Sequence, residues 1–204
     1  QFPAKYGMDL AADVEKYATQ LIKMTKNEIG KFFGLNQLAY LWCWCITCPH
    51  CDQRVPLLNQ MYVANNVKKK IGINIIPNNK NFDIEIIYNM SQDDGKKFTQ
   101  KAGKVICISC KNSIDYKTMT EDIAKNRDRE MLVIQIQKNN GRDYIIPTTE
   151  DKELYEDAVN YFNLKRKEFE ANNLIPNEFI KPSFRRENHL WHYGIKHWDE
   201  YFDE

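Results

Sequence analysis

The residues whose type and spacing could do chemistry are six cysteines: Cys43, Cys45, Cys48, Cys51, Cys107 and Cys110. Four of them form two C-x-x-C pairs, Cys48-Pro49-His50-Cys51 and Cys107-Ile108-Ser109-Cys110. Two intervening residues let a tight turn aim both sulfurs at one ion. Two such turns complete a tetrahedral shell of four thiolates, which Zn²⁺ accepts readily because it has no ligand-field preference. A rubredoxin-type iron centre uses the same four ligands, and the spacing leaves both metals open. Secreted disulfides fit poorly, since each pair is too close in sequence to staple a long loop. Dithiol redox chemistry is the stronger rival, because Cys-Pro-His-Cys is the dithiol sequence of DsbA-like oxidoreductases. That chemistry needs its first cysteine at a helix N-terminus. Pro56 stands where the interior of such a helix would be, and it breaks the helix.

Cys43 and Cys45 lie in Leu41-Trp42-Cys43-Trp44-Cys45-Ile46, which reads as a strand entering the first knuckle. Their spacing puts both on one strand face, where a free thiol packs as a small hydrophobe. His50 sits inside the knuckle and is expected at the surface, since four thiolates already fill the shell.

The elements that must position these sulfurs follow from periodicity. Leu10, Val14, Tyr17, Leu21 and Met24 repeat at helical spacing and predict an amphipathic helix over 8–33, ended by Gly30 and Gly34. Expected strands are Leu38–Ile46, Val55–Ala64, Lys69–Ile76, Phe82–Tyr88 and Lys104–Ile108, with a turn at Pro77–Asn81. The 55 residues between the cysteine pairs therefore hold β-structure, giving a zinc ribbon with an enlarged hairpin insert. Asn140-Gly141 predicts a second hairpin, and Thr148 or Thr149 caps a helix with Glu150, Asp151 and Glu153 in its first turn. The fold class is α+β. Its parts are an N-terminal helix (1–37), the ribbon with its insert (38–118), a hairpin and helix (119–175) and an aromatic C-terminal segment (176–204).

Of the 204 residues 43% are hydrophobic and 28% charged, as in globular proteins. No run approaches the roughly 20 apolar residues of a membrane span, so no membrane partner is expected. No basic-then-apolar leader is present in these residues, which favours a cytoplasmic setting. The first residue is Gln1 rather than Met, as expected of an excised piece of a longer protein. Net charge is +1, which excludes a histone-like polycation, but it is unevenly placed. Residues 41–118 hold 11 Lys/Arg against 6 Asp/Glu, while residues 149–204 hold 8 against 13.

Several segments together resemble one family. Leu41-Trp42 leads into Cys48-Pro49-His50-Cys51 and then Val55-Pro56-Leu57-Leu58. Gly103-Lys104-Val105-Ile106-Cys107 approaches the second knuckle. Arg142-Asp143-Tyr144-Ile145-Ile146-Pro147-Thr148-Thr149-Glu150-Asp151 and Tyr193-Gly194-Ile195-Lys196-His197-Trp198-Asp199-Glu200-Tyr201-Phe202 follow in order. This series resembles the predicted adenine-specific DNA methylases that carry an internal zinc ribbon. The chain departs from them at Asp52, where a glycine is usual, and at Lys111, where a small residue is usual; neither is a ligand, but turn geometry is put in question.

The resemblance implies a parent enzyme that moves a methyl group from S-adenosylmethionine to the exocyclic amine of adenine in DNA. Such chemistry needs a D/N-P-P-Y/F motif that hydrogen-bonds and stacks on a flipped adenine. Every proline here is isolated, and no glycine-rich loop follows a strand. This chain is therefore expected to be non-catalytic and not to bind S-adenosylmethionine itself; its partners would be DNA and the methylase catalytic domain of the same polypeptide. The expected ligands are Cys48, Cys51, Cys107 and Cys110 with structural Zn²⁺. The expected nucleic-acid contacts are Lys68, Lys69, Lys70, Lys96, Lys97, Lys101 and Lys104. The alternative is a structural or protein-interaction module that braces the methylase and never touches DNA.

Overall fold

The structure is a computed structural model that describes residues 7, 9–66, 69–139, 141–181 and 187–201. Lys68 and Asn140 lie outside the described residues. Helix α1 (Leu10–Ile29) runs into a 3₁₀ turn at Gly30–Phe32 and then strand β1 (Gln37–Thr47). The strands that follow are β2 (Arg54–Pro56), β3 (Tyr62–Asn65), β4 (Lys70–Asn78) and β5 (Asn81–Tyr88). A single helical turn α2 (Gln92–Gly95) leads to β6 (Gln100–Lys101), β7 (Lys104–Ile106) and β8 (Ser113–Ile114). Then come α3 (Tyr116–Asn126), β9 (Arg129–Lys138), β10 (Gly141–Ile145), α4 (Thr149–Ala171), α5 (Glu187–His192) and a 3₁₀ turn at Asp199–Tyr201. The architecture is α+β, with the strand-rich region bounded by the N- and C-terminal helices.

Among the described residues the strands form three antiparallel sheets, ordered β10-β9-β1-β2, β3-β4-β5 and β6-β7-β8. The first sheet is covered on both faces, so Met131, Leu132, Val133 and Ile134 are buried in succession rather than alternately. The insert sheet β3-β4-β5 packs against it through Ile71, Ile73 and Phe82, which meet Cys43, Cys45 and Val133. Tyr155 of α4 packs against Trp42 of β1, ring centroids 4.5 Å apart. Helix α4 starts where a capping box forces it to: the Thr148 hydroxyl accepts from the Asp151 N–H, and the Asp151 carboxylate accepts from the Thr148 N–H. Burial pushes the Asp151 carboxyl up, but these bonds and one from Gln37 Nε2 at 2.6 Å hold it below its ordinary value.

Four expectations change. The run Val55–Ala64 is two strands in two sheets, because the last bond to β1 runs from the Leu57 N–H to the Trp44 carbonyl and the chain then turns to Thr99, whose hydroxyl accepts from the Leu58 N–H and whose N–H donates to the Leu58 carbonyl. The Pro77–Asn81 turn tightens to Asn79-Lys80, both at positive φ, and Pro77 stays in β4 opposite Phe82. Helix α3, absent from the periodicity reading, is capped by Asp115, which accepts from the Thr118 N–H, and ends at Arg127 in the left-handed region. It runs across the expected boundary at residue 118. Finally, α1 spans Leu10–Ile29 with no buried residue, and its stripe faces outward, with Val14 59%, Leu21 65% and Met24 68% exposed.

No helix of the described residues is long and apolar enough to cross a membrane. Ile123 of α3 is fully buried beneath the cysteines, whereas Leu164 of α4 is 84% exposed. Ile123→Ala should cost about 2–5 kcal/mol in a urea melt, by lost transfer energy plus the cavity left behind. Leu164→Ala should stay within about 0.5 kcal/mol. Equal effects would contradict the packing described.

Candidate metal centre

Each C-x-x-C pair is the tip of an antiparallel hairpin. Strands β1 and β2 carry the first, with Ile46 opposite Val55. Strands β7 and β8 carry the second, with Val105 opposite Ile114. The two tips are built alike. The Cys48 N–H donates to the Gln53 carbonyl and the Cys107 N–H to the Asn112 carbonyl, five residues on in both cases. The Asp52 N–H donates back to Cys48 and the Lys111 N–H back to Cys107. Both Asp52 and Lys111 take the left-handed conformation, at φ 58° and 63°. That conformation is the one a glycine adopts freely, so the knuckle geometry is kept although neither residue is glycine.

The two tips face each other. The sulfurs of Cys48 and Cys110 are 3.8 Å apart, those of Cys51 and Cys107 are 3.7 Å apart, and all four lie within 4.8 Å of one another. A tetrahedral shell with metal–sulfur bonds of about 2.3 Å puts its sulfurs about 3.8 Å apart. A disulfide would need about 2.05 Å. The cluster therefore has the dimensions of a metal-thiolate shell, and the four residues can hold a metal ion. Cys48 and Cys107 are fully buried, while Cys51 and Cys110 are half-buried. Beneath them Ile46, Val55, Val105 and Ile114 pack with Met119 and Ile123 of α3. Helix α3 thus completes the floor of the site, a role that periodicity did not signal although Asp115 is a recognisable cap.

The thiols are poised unequally. Burial pushes Cys48 up to about 12 and also raises Cys107. The Gln53 backbone N–H draws Cys51 down to about 7. Cys43 and Cys45 stand apart in the neighbouring core, their sulfurs 3.9 Å from each other. His50 is exposed. No helix begins at Cys48, which closes a strand hairpin, so the helix dipole of dithiol oxidoreductases is absent from the first pair.

The lysines separate into groups. Lys69 donates to the Arg142 carbonyl at 2.6 Å, and Lys97 pairs with Asp94 at 2.7 Å. Lys104 is exposed on β7. Lys70, Lys96 and Lys101, from three different elements, line one recess.

Metal thiolate formation must expel the protons held by Cys48 and Cys107 near neutral pH. The bound state carries fewer protons than the free state, so affinity rises with pH and falls as pH drops. Titrating metal-free protein with Zn²⁺ at pH 7 in a weakly buffered indicator should release at least those two protons per ion. Cys107→Ser should abolish stoichiometric binding. Uptake without proton release, or an unchanged metal content in Cys107→Ser, would refute the four-thiolate site. Compared with protein families, curated proteins and solved structures, the chain matches none, so the geometry of the four cysteines stands as its identifying feature.

Proposed function

We propose that this chain is a zinc-ribbon module whose ion is structural, and that it serves as the non-catalytic DNA-gripping region of an S-adenosylmethionine-dependent, adenine-specific DNA methyltransferase. The observation that carries the reading is the pair of matching hairpin tips that converge on one four-sulfur point. A closed shell of four protein ligands leaves no open position for a substrate, which fits a structural ion rather than a catalytic one. Zn²⁺ is favoured over iron because it stays bound without redox chemistry, and a cytoplasmic setting would keep the thiols reduced. Methyl transfer, the cofactor and the flipped adenine belong to the catalytic domain of the parent. The DNA role rests on the family resemblance and on the lysine-rich insert between the two knuckles, where Lys70, Lys96, Lys101 and Lys104 are exposed.

A second reading has one observation in its favour. The apolar stripe of α1 is uncovered, and the end of that helix borders a cavity of about 710 Å³ lined by Phe32, Trp42, Tyr161 and Phe169. Such a surface suits a module that braces another domain by packing.

Metal analysis of purified protein should return one zinc per chain and no visible absorption; a coloured protein containing iron would overturn the choice of ion. Charge reversal at Lys70, Lys96 and Lys101 in the full-length enzyme should lower methylation of DNA at physiological salt. If that variant keeps full activity while Val14→Asp and Leu21→Asp abolish it, the bracing reading replaces the DNA-gripping one.

A further inference from the structure

The insert between the knuckles builds a recess of about 440 Å³ whose walls come from separate parts of the chain. Lys70 opens β4, Lys96 follows α2 and Lys101 closes β6, so residues up to 31 apart in sequence share one concavity. Among the described residues no carboxylate lines it. The nearest acidic side chain in sequence, Asp94, is paired with Lys97 and Ser91 and is not among the residues lining the recess. Lys70 and Lys96 make no ion pair among the described residues, and Lys101 lies over the Phe98 ring at 5.0 Å from its centroid. Among the described residues, three lysines thus border one recess with no carboxylate in its lining, an arrangement that attracts an anion.

The remaining walls are amides. Asn59, Gln60, Asn65 and Gln92 each bring a donor and an acceptor to the recess. Its shape is fixed by close packing. Tyr62 donates from its hydroxyl to the Ser91 carbonyl at 3.0 Å, and the Met61 N–H donates to the Gly95 carbonyl at 3.0 Å. Gly95 is held so tightly on the Tyr62 ring that an added Cβ would lie 2.0 Å from a ring carbon. Helix α2 is therefore clamped onto β3, which fixes the backbone positions from which Gln92 and Lys96 border the recess beside Lys70.

We infer that this recess is the phosphate-backbone contact of the module: Lys70, Lys96 and Lys101 neutralise phosphates of a DNA strand while the amides bond its phosphate and sugar oxygens. The inference rests on the DNA-gripping reading above and places the grip on the insert rather than on the metal knuckles. The contact carries no sequence information, because phosphates position a protein without specifying bases. Its signature is salt dependence. Each phosphate neutralised contributes about −0.9 to the slope of log affinity against log salt.

The test is fluorescence anisotropy of the zinc-loaded chain with a short random duplex over a series of salt concentrations. Lys70→Gln, Lys96→Gln and Lys101→Gln together should make the slope shallower by about 2.7, and weaken binding about 500-fold near 0.1 M salt if affinities converge at 1 M. Each single variant should remove about 0.9. The control removes the same charge elsewhere, with Lys117→Gln, Lys152→Gln and Lys165→Gln on α3 and α4, and should keep the wild-type slope. Zinc content and circular dichroism confirm that each variant is folded. Equal slopes for the recess and control variants would overturn the recess as the contact and leave the DNA reading standing. No binding by the wild-type chain at low salt would overturn the DNA reading itself.

Discussion

Four cysteine sulfurs from two hairpins lie within 4.8 Å of one another, and as thiolates they could share that space only with a cation between them. The two hairpins that supply the sulfurs are separated by 55 residues, and each closes its own knuckle with local backbone bonds. An ion that binds both turns two independent hairpins into one unit. Structural zinc in small finger peptides binds with about 10–16 kcal/mol of apparent free energy at neutral pH, as much as or more than the whole net stability of many domains. The apolar floor of Ile46, Val55, Val105, Ile114, Met119 and Ile123 is buried beneath the same four sulfurs. The insert threaded between the knuckles begins and ends at that cluster.

The insert shows what that placement achieves. Because both of its ends return to the metal site, the β3-β4-β5 sheet is held against the first sheet through Cys43, Cys45, Ile71 and Ile73. The cysteines outside the shell are therefore part of the packing that orients the insert. The same insert carries lysines from β4, from the end of α2 and from β6 around one recess.

The sequence made the metal site legible because C-x-x-C encodes a local turn, and a local turn needs only its own residues to be recognised. The β9–β10 hairpin and the Thr148 cap were readable for the same reason. What escaped was set by distance. Val55–Ala64 has a continuous strand-like composition, yet the bonds between Leu58 and Thr99, 41 residues on, divide it between sheets. Helix α3 is short and lies beside the second knuckle, and only its packing there makes the face carrying Met119 and Ile123 the inner one. The helical stripe of α1 was legible as a helix, but periodicity cannot say whether a stripe is covered; here it is exposed. The lysines of the insert looked alike in sequence, and among the described ones only the folding of β4, α2 and β6 onto one another separates Lys70, Lys96 and Lys101 from Lys69, Lys97 and Lys104.

The central claim is that one ion joins the two hairpins through four sulfurs. X-ray absorption at the zinc edge of the purified chain tests it most directly. The account predicts a single shell of four sulfur scatterers at about 2.3 Å. A shell containing nitrogen or oxygen ligands near 2.0 Å, or fewer than four sulfurs, would contradict it.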